Sequence, residues 1–396
     1  MKFNTSKELF DFIRKTDTSE FPSLKKILEN YDSPRVLVND ILSELKIKNK
    51  KVLLIDARSE KEFEDSSLPC SLNFPVLNNE ERHNTGLVYK KYSQTSAVWL
   101  AVQYALPKED ILRSFLKDHD ASEKEIFVYC WRGGGRSGYL SKMITDAGYK
   151  PKVLTGGYKS FRRKVNEFYS QIKFPYELLE LSGMTGCGKT ELLKLLSSKL
   201  PVLDLEDAAK HFSSLLGHIP YEINNIQPVK NQSAFENNIF SQISLNEFII
   251  DKGTFLIESE SKRVGKFQVP KIIYDKLIYS TSVRIISSME SRVKRIVRDY
   301  FGNDNRGIEP MIRILKERKS FFRQQLSADV FDQLINLLEK EKVDEFTEIM
   351  MKEYYDKKYR VKDKQVIAEV SSDDSDKAVR EISEIYREVI KNKKIY

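Results

Sequence analysis

The chain of 396 residues is long for one hydrophobic core and predicts two or three domains. Apolar residues at 40%, aromatics at 11% and a net charge of +8 describe a folded, basic protein suited to a polyanionic partner. Three cysteines, Cys70, Cys130 and Cys187, form no disulfide framework and no CxxC zinc pair, and no run of 18 apolar residues exists to cross a membrane. Met1–Ser6 carries no apolar signal region, so a cytoplasmic, reducing location and no membrane partner are expected.

Residues 1–48 read as a helical extension, with Leu9, Phe10 and Ile13, then Leu24, Ile27 and Leu28, at helical spacing. A strand at Lys51–Asp56 follows. Asp56 and Arg58 stand at its end, where site residues of open α/β sheets collect; the alternative is a structural pair. Tyr89-Lys90-Lys91-Tyr92 mixes aromatic and basic residues and suits either a polyanion or a solvated helix face.

The apolar run Ile126–Tyr129 predicts a buried strand that delivers Cys130 to its end. Gly133, Gly134 and Gly135 let the backbone curl with amides pointing inward, and Arg132 and Arg136 bracket the turn. Ser137 is expected to cap a helix starting near Gly138. A cysteine in a ring of amides beside a helix N-terminus favours the thiolate. Such a thiolate can carry sulfur or selenium. Cys-x5-Arg is also the spacing of cysteine phosphatases, and spacing alone does not separate the two. Lys152–Leu154 is a further strand, and Gly156-Gly157-Tyr158-Lys159 turns into a helix, which makes a compact α/β unit.

The strand Leu178–Ser182 runs into Gly183-Met184-Thr185-Gly186-Cys187-Gly188-Lys189-Thr190 and then an apolar helix. This is the P-loop pattern in its strand–loop–helix context. The amides around Gly183, Gly186 and Gly188 wrap a di- or triphosphate, Lys189 neutralises charge, and the Thr190 hydroxyl can reach a Mg²⁺; no other metal site is read. Cys187 reads as a small loop residue. Val202–Glu206 is the next strand. Phe255–Glu260 ends in acids, with Glu258 the candidate carboxylate near a metal and Glu260 the second. Arg292, Arg295 and Arg298 lie off the apolar face of one helix and read as phosphate-backbone contacts, a lid over the anionic ligand, or a solvated face. Helices follow through about residue 360. A last strand, Val366–Val370, precedes a closing helix.

The motifs together resemble a known family. Asp56-Ala57-Arg58-Ser59, Asn73-Phe74-Pro75, Tyr129-Cys130-Trp131-Arg132-Gly133-Gly134 with Arg136-Ser137, and Gly156-Gly157-Tyr158-Lys159 resemble the rhodanese domain of the tRNA 2-selenouridine synthases. Gly183–Leu193, Leu203-Asp204-Leu205-Glu206 and Glu258–Gly265 resemble the P-loop domain of that family. The resemblance implies a rhodanese-like α/β domain over 49–170, and a P-loop NTPase-like α/β domain with a helical C-terminal part over 175–396. It implies a transferase acting on the wobble uridine of thiolated tRNAs: geranylation of the 2-thio group with geranyl diphosphate, then selenation with selenophosphate. Cys130 would carry the selenium. His211 stands where the family's histidine-glycine-serine pattern is only partly kept, and it reads as a buried or capping residue. The rivals are a rhodanese-type sulfurtransferase in tRNA thiolation, a cysteine phosphatase fused to a kinase-like domain, and a non-catalytic tRNA-binding module.

Overall fold

A computed structural model describes residues 1–29, 31, 33–47, 51–249, 253–359 and 364–393. The chain divides into two compact units, Met1–Phe168 and Tyr169–Tyr396. Both are built on parallel α/β sheets, and the second carries a helical C-terminal part. The expected limits at 48 and about 360 fall outside the described residues.

The first unit has five strands: β1 Arg35–Val36, β2 Val52–Asp56, β3 Ser71–Asn73, β4 Glu125–Tyr129 and β5 Lys152–Leu154. Their order is β1-β5-β4-β2-β3, and every pairing is parallel. β2 and β4 are apolar and buried along almost their whole length, as strands covered on both faces must be. β4 is therefore central, and its C-terminal end opens where ligands of such sheets bind.

The first 47 residues do more than pack as helices. Leu9 and Ile13 are fully buried in the core with Leu53, Ile55 and Val128, and β1 adds an edge strand to the sheet. The short helix Leu24–Ile27 and the turn after it lie against the helix Gly135–Asp146. A Cβ at Gly135 or Gly138 would come within 2.8 Å of a methyl of Leu24 or Leu28. Arg35 Nη1 donates to the Gly133 carbonyl at 2.7 Å, and the Ser33 and Ser141 hydroxyls meet at 2.5 Å.

The second unit has β6 Glu177–Ser182, β7 Val202–Leu203, β8 Thr254–Glu258, β11 Thr281–Ile286 and β12 Val366–Ser371 in the order β12-β11-β6-β8-β7, all parallel; β9 Arg263–Val264 and β10 Phe267–Gln268 form a separate hairpin. The strand expected over Val202–Glu206 stops at Leu203. Asp204 instead accepts the Asp207 amide at 2.7 Å and caps the short helix Leu205–Ala209. The closing helix Ser375–Lys393 packs Ala378 and Ile382 against the helix after the P-loop. A separate apolar cluster, including Phe301, Met311, Phe322, Leu334 and Phe346, fills the helical part. Among the described residues no helix is long and apolar enough to cross a membrane.

Candidate active site

The first site forms where the chain leaves β4. Cys130 lies at the floor of a loop closed by two glycines with positive φ, Gly133 at 68° and Gly157 at 56°. A Cβ on Gly157 would stand 2.1 Å from the Cys130 carbonyl, and one on Gly133 would stand 2.3 Å from the Leu154 carbonyl. The loops after β4 and β5 therefore interlock at a distance only glycine permits. Backbone bonds from Tyr158 N to the Cys130 carbonyl (2.8 Å) and from Lys159 N to the Trp131 carbonyl (3.0 Å) complete the lock.

The helix starts at Gly135, three residues earlier than expected, with Gly134 as its N-cap. Ser137 thus sits in the first turn, where amides are unpaired, and is no cap. Its hydroxyl lies 3.2 Å from the Cys130 sulfur and donates to the Gly134 carbonyl at 3.1 Å. Burial pushes the Cys130 thiol up, but it is outweighed. The Ser137 hydroxyl and amide, the Arg136 charge and the Arg132 amide hold its pKa below the ordinary value. The residue keeps only 4% exposure. Replacing Ser137 by alanine should move the alkylation of Cys130 by iodoacetamide, followed by peptide mass mapping, to higher pH. An unchanged pH profile would remove Ser137 from this role.

Arg136 is a half-buried partner of Glu62 at 2.5 Å, and Glu62 also holds Arg82 at 2.8 Å. Burial raises the Glu62 carboxyl, but these two arginines hold it below the usual range. Arg132 is exposed. Sequence reasoning singled out neither Glu62 nor Ser137 as a site residue; an acid beside the motif's arginine shows only in three dimensions.

Asp56 and Arg58 have the geometry of the structural alternative. They are 0% and 1% exposed and paired with each other at 2.6 Å, and Arg58 also donates to the Ser66 carbonyl at 2.7 Å. They touch no opening, so they brace the strand end. Burying a charge at a packed strand end requires its partner beside it, and removing one partner of such a pair costs about 3–5 kcal/mol.

The second site follows β6. Gly183, Gly186 and Gly188 all take positive φ, and Lys189 opens the helix Lys189–Leu196. Lys189 Nζ donates to the carbonyls of Gly183 (2.9 Å) and Met184 (3.3 Å). The Thr190 hydroxyl reaches Glu206 at 3.0 Å and Glu258 at 3.2 Å. Glu206, Glu258 and Glu260 are all buried, with carboxylate oxygens within 4.8 Å of one another. Burial first, then a neighbouring carboxylate, raises all three: Glu206 to about 6 beside Asp204, Glu260 to about 8 beside Glu206, and Glu258 well above its usual value beside Glu206 and Asp204. Hard oxygen donors in this number, beside a P-loop threonine, fit a divalent cation. Glu206 was not among the expected site residues; it enters because the chain turns into a helix at Leu205 and brings it back beside Thr190.

A cavity of about 530 Å³ is lined by the P-loop, Glu206, Glu260, Arg295, Arg298 and Tyr355, among others. A small apolar recess of about 20 Å³, lined by Leu216, Met311, Phe346, Met350 and Met351, shares Thr185, Ile296, Tyr300 and Tyr355 with it.

The three arginines of the helix Met289–Phe301 occupy different surroundings. Arg292 is 4% exposed, donates to the Thr185 carbonyl at 2.9 Å and pairs with Asp356 at 2.5 Å. Arg295 is tied to Glu191 at 3.1 Å and to Ser287 at 2.9 Å, and a Cβ on Gly188 would lie 3.1 Å from its Nε. Only Arg298 is largely exposed, beside Glu191 and Asp299. The helix crosses the P-loop, so its second face is covered as well as its apolar one. Arg292 thus turns to the P-loop and Asp356, while Arg295 and Arg298 line the phosphate cavity, where a lid over an anionic ligand would lie. His211 is half-buried against Gly265, its ring 6.1 Å from that of His218, and burial lowers its pKa. Its Nδ1 finds no hydrogen-bond partner among the described residues.

A thiol cradle on a parallel sheet and a phosphate loop with buried acids, on one chain, define a two-part group-transfer enzyme. Residues 39–164 match the family model of the rhodanese-like domain, and residues 176–388 match that of the tRNA 2-selenouridine synthase AAA domain. A tRNA 2-selenouridine synthase of Bdellovibrio bacteriovorus is 33% identical over 264 residues, 65% of this chain and 67% of the relative. One of Nitrosomonas europaea is 30% identical over 302 residues, covering 72% and 74%, and one of Cupriavidus pinatubonensis is 27% identical over 343 residues, covering 80% and 90%. The chain belongs to the tRNA 2-selenouridine synthase family of enzymes.

Proposed function

We propose that this protein converts 2-thiouridine to 2-selenouridine at the wobble position of thiolated tRNAs, in two steps. The sulfur at C2 of the base first takes the geranyl group from geranyl diphosphate, and pyrophosphate leaves. Selenium from selenophosphate, held at Cys130, then replaces the geranylthio group: geranylthiol leaves C2, water cleaves the Se–P bond to release phosphate, and selenium keeps its oxidation level throughout. The observation that carries the reading is the Cys130 cradle: a buried thiol 3.2 Å from the Ser137 hydroxyl, whose charged form is favoured by that hydroxyl, the Ser137 and Arg132 amides and Arg136. Such a ring stabilises an anionic selenium donor held beside the sulfur. The relatives' shared name supports the substrate and the product.

The P-loop site is assigned to geranyl diphosphate. Its amides and Lys189 suit a diphosphate, and the apolar recess of Leu216, Met311, Phe346, Met350 and Met351 adjoins the phosphate cavity. The recess must widen to take a prenyl chain. Glu206, Glu258 and Glu260 with Thr190 would hold a Mg²⁺, whose charge would offset that of the leaving pyrophosphate. Adding Mg²⁺ at pH 8 should therefore raise Tm in the wild type and raise it less in Glu258→Gln; equal rises would remove the carboxylates as its ligands.

The deciding experiment is mass analysis of nucleosides from thiolated tRNA incubated with the protein, geranyl diphosphate and selenophosphate. Geranylated thiouridine in the absence of selenophosphate, and selenouridine in its presence, is the expected result. Unchanged thiouridine in both would sink the reading.

A further inference from the structure

We infer that Trp131 is a stacking platform for the substrate pyrimidine, placing the base beside the Cys130 cradle. The inference rests on the proposed action on tRNA.

Trp131 follows Cys130 directly and is 42% exposed, an unusual position for so large an apolar side chain. It is nevertheless held firmly. Its indole stacks on Tyr158 with centroids 5.4 Å apart and planes 27° from parallel. Tyr158 is 5% exposed and lies under Arg58, whose guanidinium carbon is 4.2 Å from the ring centroid. Arg58 is fixed in turn by Asp56 through its Nε and Nη2. The buried pair that touches no opening thus supports a pile of flat groups whose last member alone meets solvent. The bond from Lys159 N to the Trp131 carbonyl fixes the backbone under it.

A ring stacked on one side and open on the other presents a flat π face already ordered before binding, so little rotamer entropy is lost when a ligand stacks on it. Exposed Arg132 and Lys159 adjoin it, and neither forms an ion pair among the described residues. A flat neutral face with exposed cations on adjoining residues suits a base flanked by phosphodiesters. Unpaired bases of RNA loops are recognised by stacking of this kind. An apolar protein partner would use the indole without needing the cations.

The test uses the full chain, with steady-state selenation of geranylated tRNA and, separately, loading of selenium on Cys130 without tRNA. Trp131→Ala should raise KM for tRNA about tenfold, within the range for one lost base stack. Trp131→Phe should recover most of it, and loading should be unchanged in both. A 2-thiouridine anticodon stem-loop should quench tryptophan fluorescence in the wild type. Trp99 is the other tryptophan, so the quenching should vanish in Trp131→Phe. A wild-type KM in Trp131→Ala overturns the platform, and so does a loss of selenium loading in that variant, which would mark Trp131 as structural support for the loop. A wild-type protein that leaves tRNA unmodified would instead remove the functional reading itself.

Discussion

Cys130→Ser is expected to lose selenation by at least about a thousandfold, the scale seen when a nucleophile is removed, while geranylation continues. Serine fills nearly the same volume, so the loop closed by Gly133 and Gly157 should persist. What disappears is the anion. The cradle lowers the pKa of the thiol, whereas a serine hydroxyl stays protonated in the same field. Nucleosides from the variant's reaction should therefore accumulate as geranylated thiouridine. Full selenation by this variant would exclude Cys130 as the carrier.

Lys189→Met should show the opposite separation: geranylation reduced about 10²–10³-fold, the loss typical when one charge-stabilising group is removed, with selenium loading of Cys130 intact. Lys189 rests on the carbonyls of Gly183 and Met184, in the place a phosphate would otherwise recruit it to. Burial pulls the ammonium pKa down, yet Cys187, Glu206, Glu258 and Glu260 outweigh it and keep it raised. The variant also leaves three buried carboxyls without their cation, so thermal unfolding must be followed beside the activity. A folded Lys189→Met protein that geranylates at full rate would contradict the assignment of this loop to geranyl diphosphate.

Both sites were legible because each is a local motif. An apolar strand, a glycine turn and a helix start lie within a dozen residues, and backbone geometry follows from their order. Less legible was everything that depends on what packs on a second face. Arg292 and Arg295 look like outward charges when only the apolar stripe of their helix is counted, but the helix crosses the P-loop, and the loop's carbonyl at Thr185 claims one of them. Asp56 and Arg58 occupy the expected strand end, yet close on each other, because a buried charge must be paired where it lies. Glu206 was hidden by a strand that ends at Leu203, two residues before the helix that carries it. The start of the helix at Gly135 escaped notice because three consecutive glycines give no side-chain cap to mark it.

The contact of Leu24 and Leu28 with Gly135 and Gly138 ties two distant stretches of sequence into one packed unit. Glycine inside a helix costs about 1 kcal/mol relative to alanine, and here that cost is offset only because leucines from the front of the chain occupy the vacated space. Without that front segment the space over both glycines would be open, and alanine at either would be expected to firm the helix. Transplanting Cys130–Gly138 alone into a relative lacking that segment should therefore give a frayed first turn, and with it a weaker hold on the chalcogen.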